Sequence, residues 1–71
     1  MITQEQAALA VGAMTRCSSW VAAAYWSVAP EAVVRWLELG LIEGRQVCAG
    51  VWLIECAAVR ALGPDGRPEG A

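Results

Sequence analysis

The chain has no histidine, lysine, phenylalanine or asparagine, and its one aspartate, Asp65, falls among glycines and prolines near the end. Without histidine, the commonest general base and metal-ligand side chain is missing. The three cysteines, Cys17, Cys48 and Cys56, show no C-x-x-C spacing, so a zinc site would have to recruit carboxylates, and none is expected. With an odd cysteine count and no expected secretory signal, a disulfide framework is disfavoured, and core packing in a reduced cytoplasm is the simpler reading. Neither Ser18-Ser19 nor any cysteine has a recognisable base or oxyanion partner nearby in sequence. The seven glycines do not build a phosphate cradle. Neither an enzyme nor a cofactor is expected.

Positive charge is scarce too. Five arginines face seven acidic residues, a net charge of −2, whereas nucleic-acid-binding domains are usually basic. Attraction to a duplex would depend on how Arg16, Arg35, Arg45, Arg60 and Arg67 are distributed, and non-specific affinity should be weak. What is abundant is apolar: 58% of the residues, with four tryptophans. Seventy-one residues allow one domain with a modest core.

A membrane span is tested by residues 7–29, 23 positions with Arg16 as the one charge. Their length would suffice. However, Arg16 near the middle costs about 2.5–3.5 kcal/mol on insertion, and the stretch is filled with Ala, Gly, Ser and Thr. Thr15-Arg16-Cys17-Ser18-Ser19 reads better as a helix break with new capping residues, so no membrane is expected.

Thr3 and Gln6 form a T-x-x-Q capping box, which predicts a first helix over residues 4–13 with Ala7, Ala8, Leu9, Val11 and Met14 on one broad apolar side. Ser18 or Ser19 caps a second helix over 20–26, packing inward through Ala22, Ala23 and Tyr25 or Trp26. Three residues, Ser27-Val28-Ala29, then make a corner. Pro30 opens a third helix over 30–39, because its fixed φ suits the first turn, where its missing N–H is not needed. Glu31 favours that N-terminus, Gly40 supplies a left-handed stop, and Val33, Trp36 and Leu37 recur as the buried stripe. Leu41-Ile42 should return the chain to the core. Residues 46–48 and 51–54 flank Ala49-Gly50 as a hairpin, residues 55–62 form a last helix with Cys56, Val59 and Leu62 on one side, and the Gly/Pro-rich residues 63–71 are a disordered tail.

The helix–corner–helix order is that of a helix-turn-helix. Tyr25-Trp26-Ser27-Val28, then Ala29-Pro30-Glu31-Ala32-Val33-Val34-Arg35-Trp36, then Gly40-Leu41-Ile42 resemble the small winged helix-turn-helix domains of phage excisionases and of the DNA-binding end of MerR-type regulators. The resemblance spans about residues 19–62. It implies a mainly α fold: a small winged helix-turn-helix at 1–62, in which 1–18 is an extra N-terminal helical extension and 46–54 a two-stranded β-wing. It also implies double-stranded DNA as partner, with the third helix in the major groove and the wing on the backbone.

The departures thin the DNA-facing chemistry. Ala29 stands at the family's N-cap serine, Ala32 at a threonine that can reach phosphate, and Val34 at the first arginine of a pair, while Val51 and Leu53 replace basic wing residues. The DNA-contact positions are therefore Glu31, Ala32, Arg35 and Arg45. For Arg35 a surface pairing with Glu31 or Glu38 competes with a phosphate or guanine contact, and for Arg45 a solvated turn charge competes. Trp36 and Trp52 read as core closing the hydrophobic centre. Val34, Val51 and Leu53, if exposed together, form an apolar patch for a protein partner. Two functions follow: a phage- or mobile-element-type DNA-binding regulator or excisionase-like factor, or a protein-interaction module on that scaffold, an inhibitor of a host protein or a homodimer-forming accessory factor.

Overall fold

The computed structural model describes residues 2–68. In chain order it contains helix α1 (Gln4–Ala13), strand β1 (Arg16–Cys17), helices α2 (Ser19–Trp26) and α3 (Pro30–Glu38), strands β2 (Gly44–Cys48) and β3 (Val51–Glu55), and helix α4 (Cys56–Leu62). The strands form one antiparallel sheet in the order β1-β3-β2. About half the chain is helical, and with a three-stranded sheet the fold is mixed α and β, a correction to the mainly α expectation.

The added strand explains the correction. Thr15-Arg16-Cys17 breaks the helix pattern as expected, but it also pairs with β3, Arg16 opposite Glu55 and Cys17 opposite Ile54. The Cys56 N–H extends the ladder to the Thr15 carbonyl at 3.0 Å. A two-residue strand has too few alternating side chains to declare itself, and only the partner strand defines it.

Helix α1 begins at the Thr3 capping box, with both reciprocal bonds made: Gln6 N–H to Thr3 Oγ1 and Thr3 N–H to Gln6 Oε1. Its Ala7 and Val11 are fully buried against α2, and Gln4 Nε2 donates to the Tyr25 carbonyl at 2.9 Å. The amino-terminal segment is thus part of the core and not an appendage. Its apolar side is narrower than the composition promised: Ala8 is exposed, Leu9 is 70% exposed and Met14 about half exposed.

Helix α2 is the central element, capped by Ser18 and packed by α1 on one side and α3 on the other. Ala22, Ala23, Tyr25 and Trp26 are all buried, because a helix covered on two sides needs an apolar surface wider than one stripe. It ends with Ser27 in the left-handed region (φ 56°), while Val28 N–H reaches Ala23 O and Ser27 N–H reaches Ala24 O. Helix α3 closes the same way, Leu41 N–H on Trp36 O and Gly40 N–H on Leu37 O, with Gly40 at φ 77°. Leu39 is its terminal cap, one residue short of the expected helix.

The core gathers Trp26 and Trp36 edge to face at 5.9 Å, Tyr25 against Trp26 at 5.8 Å, and Val33, Leu37, Ile42, Ile54, Cys56 and Val59. Of the Leu41-Ile42 pair, Ile42 is buried and Leu41 is exposed. On the last helix Leu62 is exposed, leaving Cys56 and Val59 inside. Trp52 is half-buried and leans on the core from its rim. Cys17 and Cys56 are buried, whereas Cys48 at the end of β2 is exposed, contrary to the core-packing expectation for all three. At the start of the expected disordered tail, Trp26 Nε1 donates to the Gly63 carbonyl at 2.9 Å, and Gly66 N–H turns back to the same carbonyl. The rest of the expected disordered tail, residues 69–71, lies outside the described residues. No helix among the described residues is long and apolar enough to cross a membrane.

Candidate nucleic-acid interface

Helix α3 is sharply two-sided. Val33, Trp36 and Leu37 face the core, while Glu31, Arg35 and Glu38, spaced i, i+4 and i+7, lie exposed along the opposite face. Ala29 supplies no side-chain cap, but Pro30 has no N–H and the Ala32 N–H bonds to the Ala29 carbonyl at 3.0 Å, so of the first turn only the Glu31 N–H is left without a backbone partner among the described residues. Ala32 and Val34 are half-buried, and the Ala32 methyl packs against the core. The Arg35 guanidinium has no ion pair or hydrogen bond among the described residues, so the pairing with Glu31 or Glu38 that its spacing allows is not made.

The segment expected to form the wing is the β2–β3 hairpin. Arg45 stands opposite Leu53, Gln46 opposite Trp52 and Gly44 opposite Ile54, with a bulge between Gln46 and Cys48 and the turn at Ala49-Gly50. Because side chains alternate, Ile54 and Trp52 turn toward the core, while Leu53 and Val51 share the other face with Arg45. Arg45 is exposed and, like Arg35, has no charged partner among the described residues. Of the expected apolar patch, Val51 is 46% exposed and Leu53 and Val34 are half-buried. Helix α3 meets the sheet through its buried side, where a Cβ at Gly44 would lie 2.8 Å from Leu37 Cδ2 and 2.9 Å from the Leu53 carbonyl oxygen, and because the backbone oxygen cannot swing away as the leucine tip can, the position favours glycine.

Two other arginines serve the fold. Arg16 Nε donates to Glu55 Oε2 at 2.7 Å, clamping β1 to β3. Arg60 Nη1 donates to the carbonyls of Val11 at 2.6 Å and Met14 at 3.4 Å, satisfying the C-terminal end of α1 from across the fold. Nothing in the local sequence of Arg60 announced this role, since the carbonyls it meets are more than forty residues away.

The buried cysteines offer little chemistry. Burial pushes the Cys17 thiol up to about 12, and the neighbouring Cys56 thiol adds to the shift, so Cys17 stays protonated and a poor nucleophile near neutral pH. Among the described residues no three potential metal ligands cluster.

One feature escaped the sequence reading. Trp20, in the first turn of α2, is 69% exposed and stands at the edge of an apolar groove of about 530 Å³. Its periodicity could have flagged it, because Ala22, Ala23 and Trp26 already fill the buried side of so short a helix. Compared with family models, with curated proteins and with solved structures, the chain matches none.

Proposed function

We propose that this protein is a small DNA-binding regulator of the phage or mobile-element type, excisionase-like, which lays α3 in the major groove and sets the β2–β3 wing against the backbone. The observation that carries the reading is the division of labour among the arginines. Arg16 and Arg60 are consumed by internal contacts and Arg67 is exposed in the segment after α4, while Arg35 on the outer face of α3 and Arg45 on the hairpin are exposed and unpaired among the described residues. These two sit on the two elements that the helix-turn-helix resemblance assigns to DNA. Arg35 has the fork geometry to grip a guanine edge or a phosphate. Glu31 can accept only from a base such as cytosine N4, and the methyl of Ala32 adds at most an apolar contact.

With Arg35 and Arg45 alone placed on α3 and the hairpin, and a net charge of −2, binding should be weak and mildly salt-dependent, the slope near that of two neutralised phosphates, about −1.8 in log K against log salt. The test is a fluorescence anisotropy titration of labelled random duplex at low and moderate salt. Arg35→Ala should weaken binding by roughly 1–3 kcal/mol on any preferred sequence and leave the melting temperature unchanged, because the side chain is exposed. Equal binding by variant and wild type removes Arg35 from the interface, and no wild-type binding at low salt removes the function.

The alternative is a protein-interaction module on the same scaffold, an inhibitor of a host protein or an accessory factor that self-associates. It draws on the scarcity of positive charge and on the exposed Val51.

A further inference from the structure

Cys17 and Cys56 meet where the early and late parts of the chain join. Cys17 stands opposite Ile54 in the β1–β3 pair, and the Cys56 N–H bonds to the Thr15 carbonyl at 3.0 Å, so Cys56 sits one diagonal step from Cys17. Side chains two apart along a strand share a face, which puts both thiols on the side that Ile54 turns to the core. There they are 3% and 0% exposed. The two are neighbours, since the Cys56 thiol helps to hold Cys17 protonated. A single buried cysteine packs as a small apolar side chain, but two side by side add the capacity to join.

We propose that Cys17 and Cys56 form a redox lock: in an oxidising thiol–disulfide balance they close to an intramolecular disulfide that fastens β1 to the start of α4. The oxidant is a low-molecular-weight disulfide such as glutathione disulfide. One protein thiolate attacks it, breaking its S–S bond and releasing one glutathione. The second attacks the protein sulfur of the mixed disulfide, forming the Cys17–Cys56 bond and releasing the other glutathione. Two protons and two electrons pass from the protein thiols to the two glutathiones. A disulfide spans Cα separations up to about 6.8 Å, and diagonal neighbours on an antiparallel pair lie about 7–8 Å apart, so closure asks β1 to move by about an ångström. A two-residue edge strand clamped by the exposed Arg16–Glu55 pair can give that much. The same strand sets the rate: both thiols are buried and Cys17 is protonated, so exchange waits for β1 to lift from β3. The bond ties residues far apart in the chain, so it restricts the unfolded state most. It lies on the core face of β3, whereas Arg45 stands opposite Leu53 on the other face. The lock therefore changes how firmly the fold holds, and it does not rest on DNA binding.

The full chain carrying Cys48→Ser, which removes the exposed thiol from competition, tests it in glutathione buffers of rising oxidised fraction. The folded protein should lose two hydrogens by intact mass, and peptide mapping should find the Cys17–Cys56 bond. Closure should be at least tenfold more favourable than in urea, where the fold no longer holds the thiols together. The cross-linked protein should keep the wild-type circular dichroism and unfold at a higher urea midpoint than the reduced one, and dithiothreitol should reverse the gain. The wild type should form the same bond. A folded protein that stays reduced at every ratio overturns the proposal. So does a cross-linked form with a lower midpoint than the reduced protein, because the native backbone would then resist the bond. A wild-type product joined through Cys48 instead overturns it as well.

Discussion

Helices α2 and α3 are neighbours of nearly equal length, and both end in the same pair of reversed hydrogen bonds, yet they spend their surfaces differently. Helix α3 buries one stripe and gives the rest to Glu31, Arg35 and Glu38. Helix α2 has no charged residue, buries most of its length between α1 and α3, and still leaves Trp20 in water. The difference teaches that apolar residues on a central helix do two jobs. Those facing its neighbours hold the fold together, and those beyond their reach, Trp20 among them, stay in water.

The sharpest way to break this comparison sets one tryptophan against another. Trp36→Ala should cost about 3–5 kcal/mol, since its ring is 7% exposed and packs edge to face on Trp26. Trp20→Ala should stay within about 0.5 kcal/mol under dilute conditions, as surface substitutions do. Urea denaturation measures both, and a cooperatively folded Trp36→Ala with a wild-type midpoint would overturn the assignment of α3 to the core.

A smaller effect separates the two helix stops. A left-handed conformation costs a non-glycine residue about 1–2 kcal/mol, while glycine loses about 0.5–1 kcal/mol more chain entropy than alanine on folding. The first cost is the larger, so Gly40→Ala should destabilise by about 1 kcal/mol or less, and Ser27→Gly should stabilise by a similar or smaller amount. Opposite shifts in melting temperature are expected. Shifts of the same sign would mean that the Ser27 side chain contributes something its conformation does not explain.

The smallest change in stability should come from the outer face of α3. Glu38→Gln removes an exposed carboxylate from the negative end of the helix dipole, so stability should rise by no more than about 0.5 kcal/mol. Duplex binding at low salt should strengthen, because a charge that repels phosphate is gone. Unchanged or weaker binding in the anisotropy titration would turn that face of α3 away from DNA.

Much of the helical layout was legible before any coordinates, because it is written in local chemistry. The Thr3–Gln6 box, the Ser18 cap, Pro30 and Gly40 are signals read within a single turn of chain, and the Val33-Trp36-Leu37 stripe needs only the helical period. The exposure of Arg35 followed from the same period. Whether that exposed arginine was paired did not, because rotamers and competing partners decide it.

What only the tertiary structure decided was every relation between residues far apart in the chain. Strand β1 exists because β3 lies beside it, since two residues cannot make a strand alone. Arg60 is a structural residue because the end of α1 arrives next to it with unmet carbonyls. Gly63 meets the core because the Trp26 indole needed an acceptor and found one in its carbonyl. The patch expected from Val34, Val51 and Leu53 is only partly exposed, while the groove at Trp20 took shape where α1, α2 and the corner before α3 meet. Sequence alone determined which residues could cap, turn and face inward, because those preferences are set by one residue and its near neighbours. The three-dimensional fold decided which polar groups found partners and which apolar side chains were left over, because both depend on what packing brings into reach.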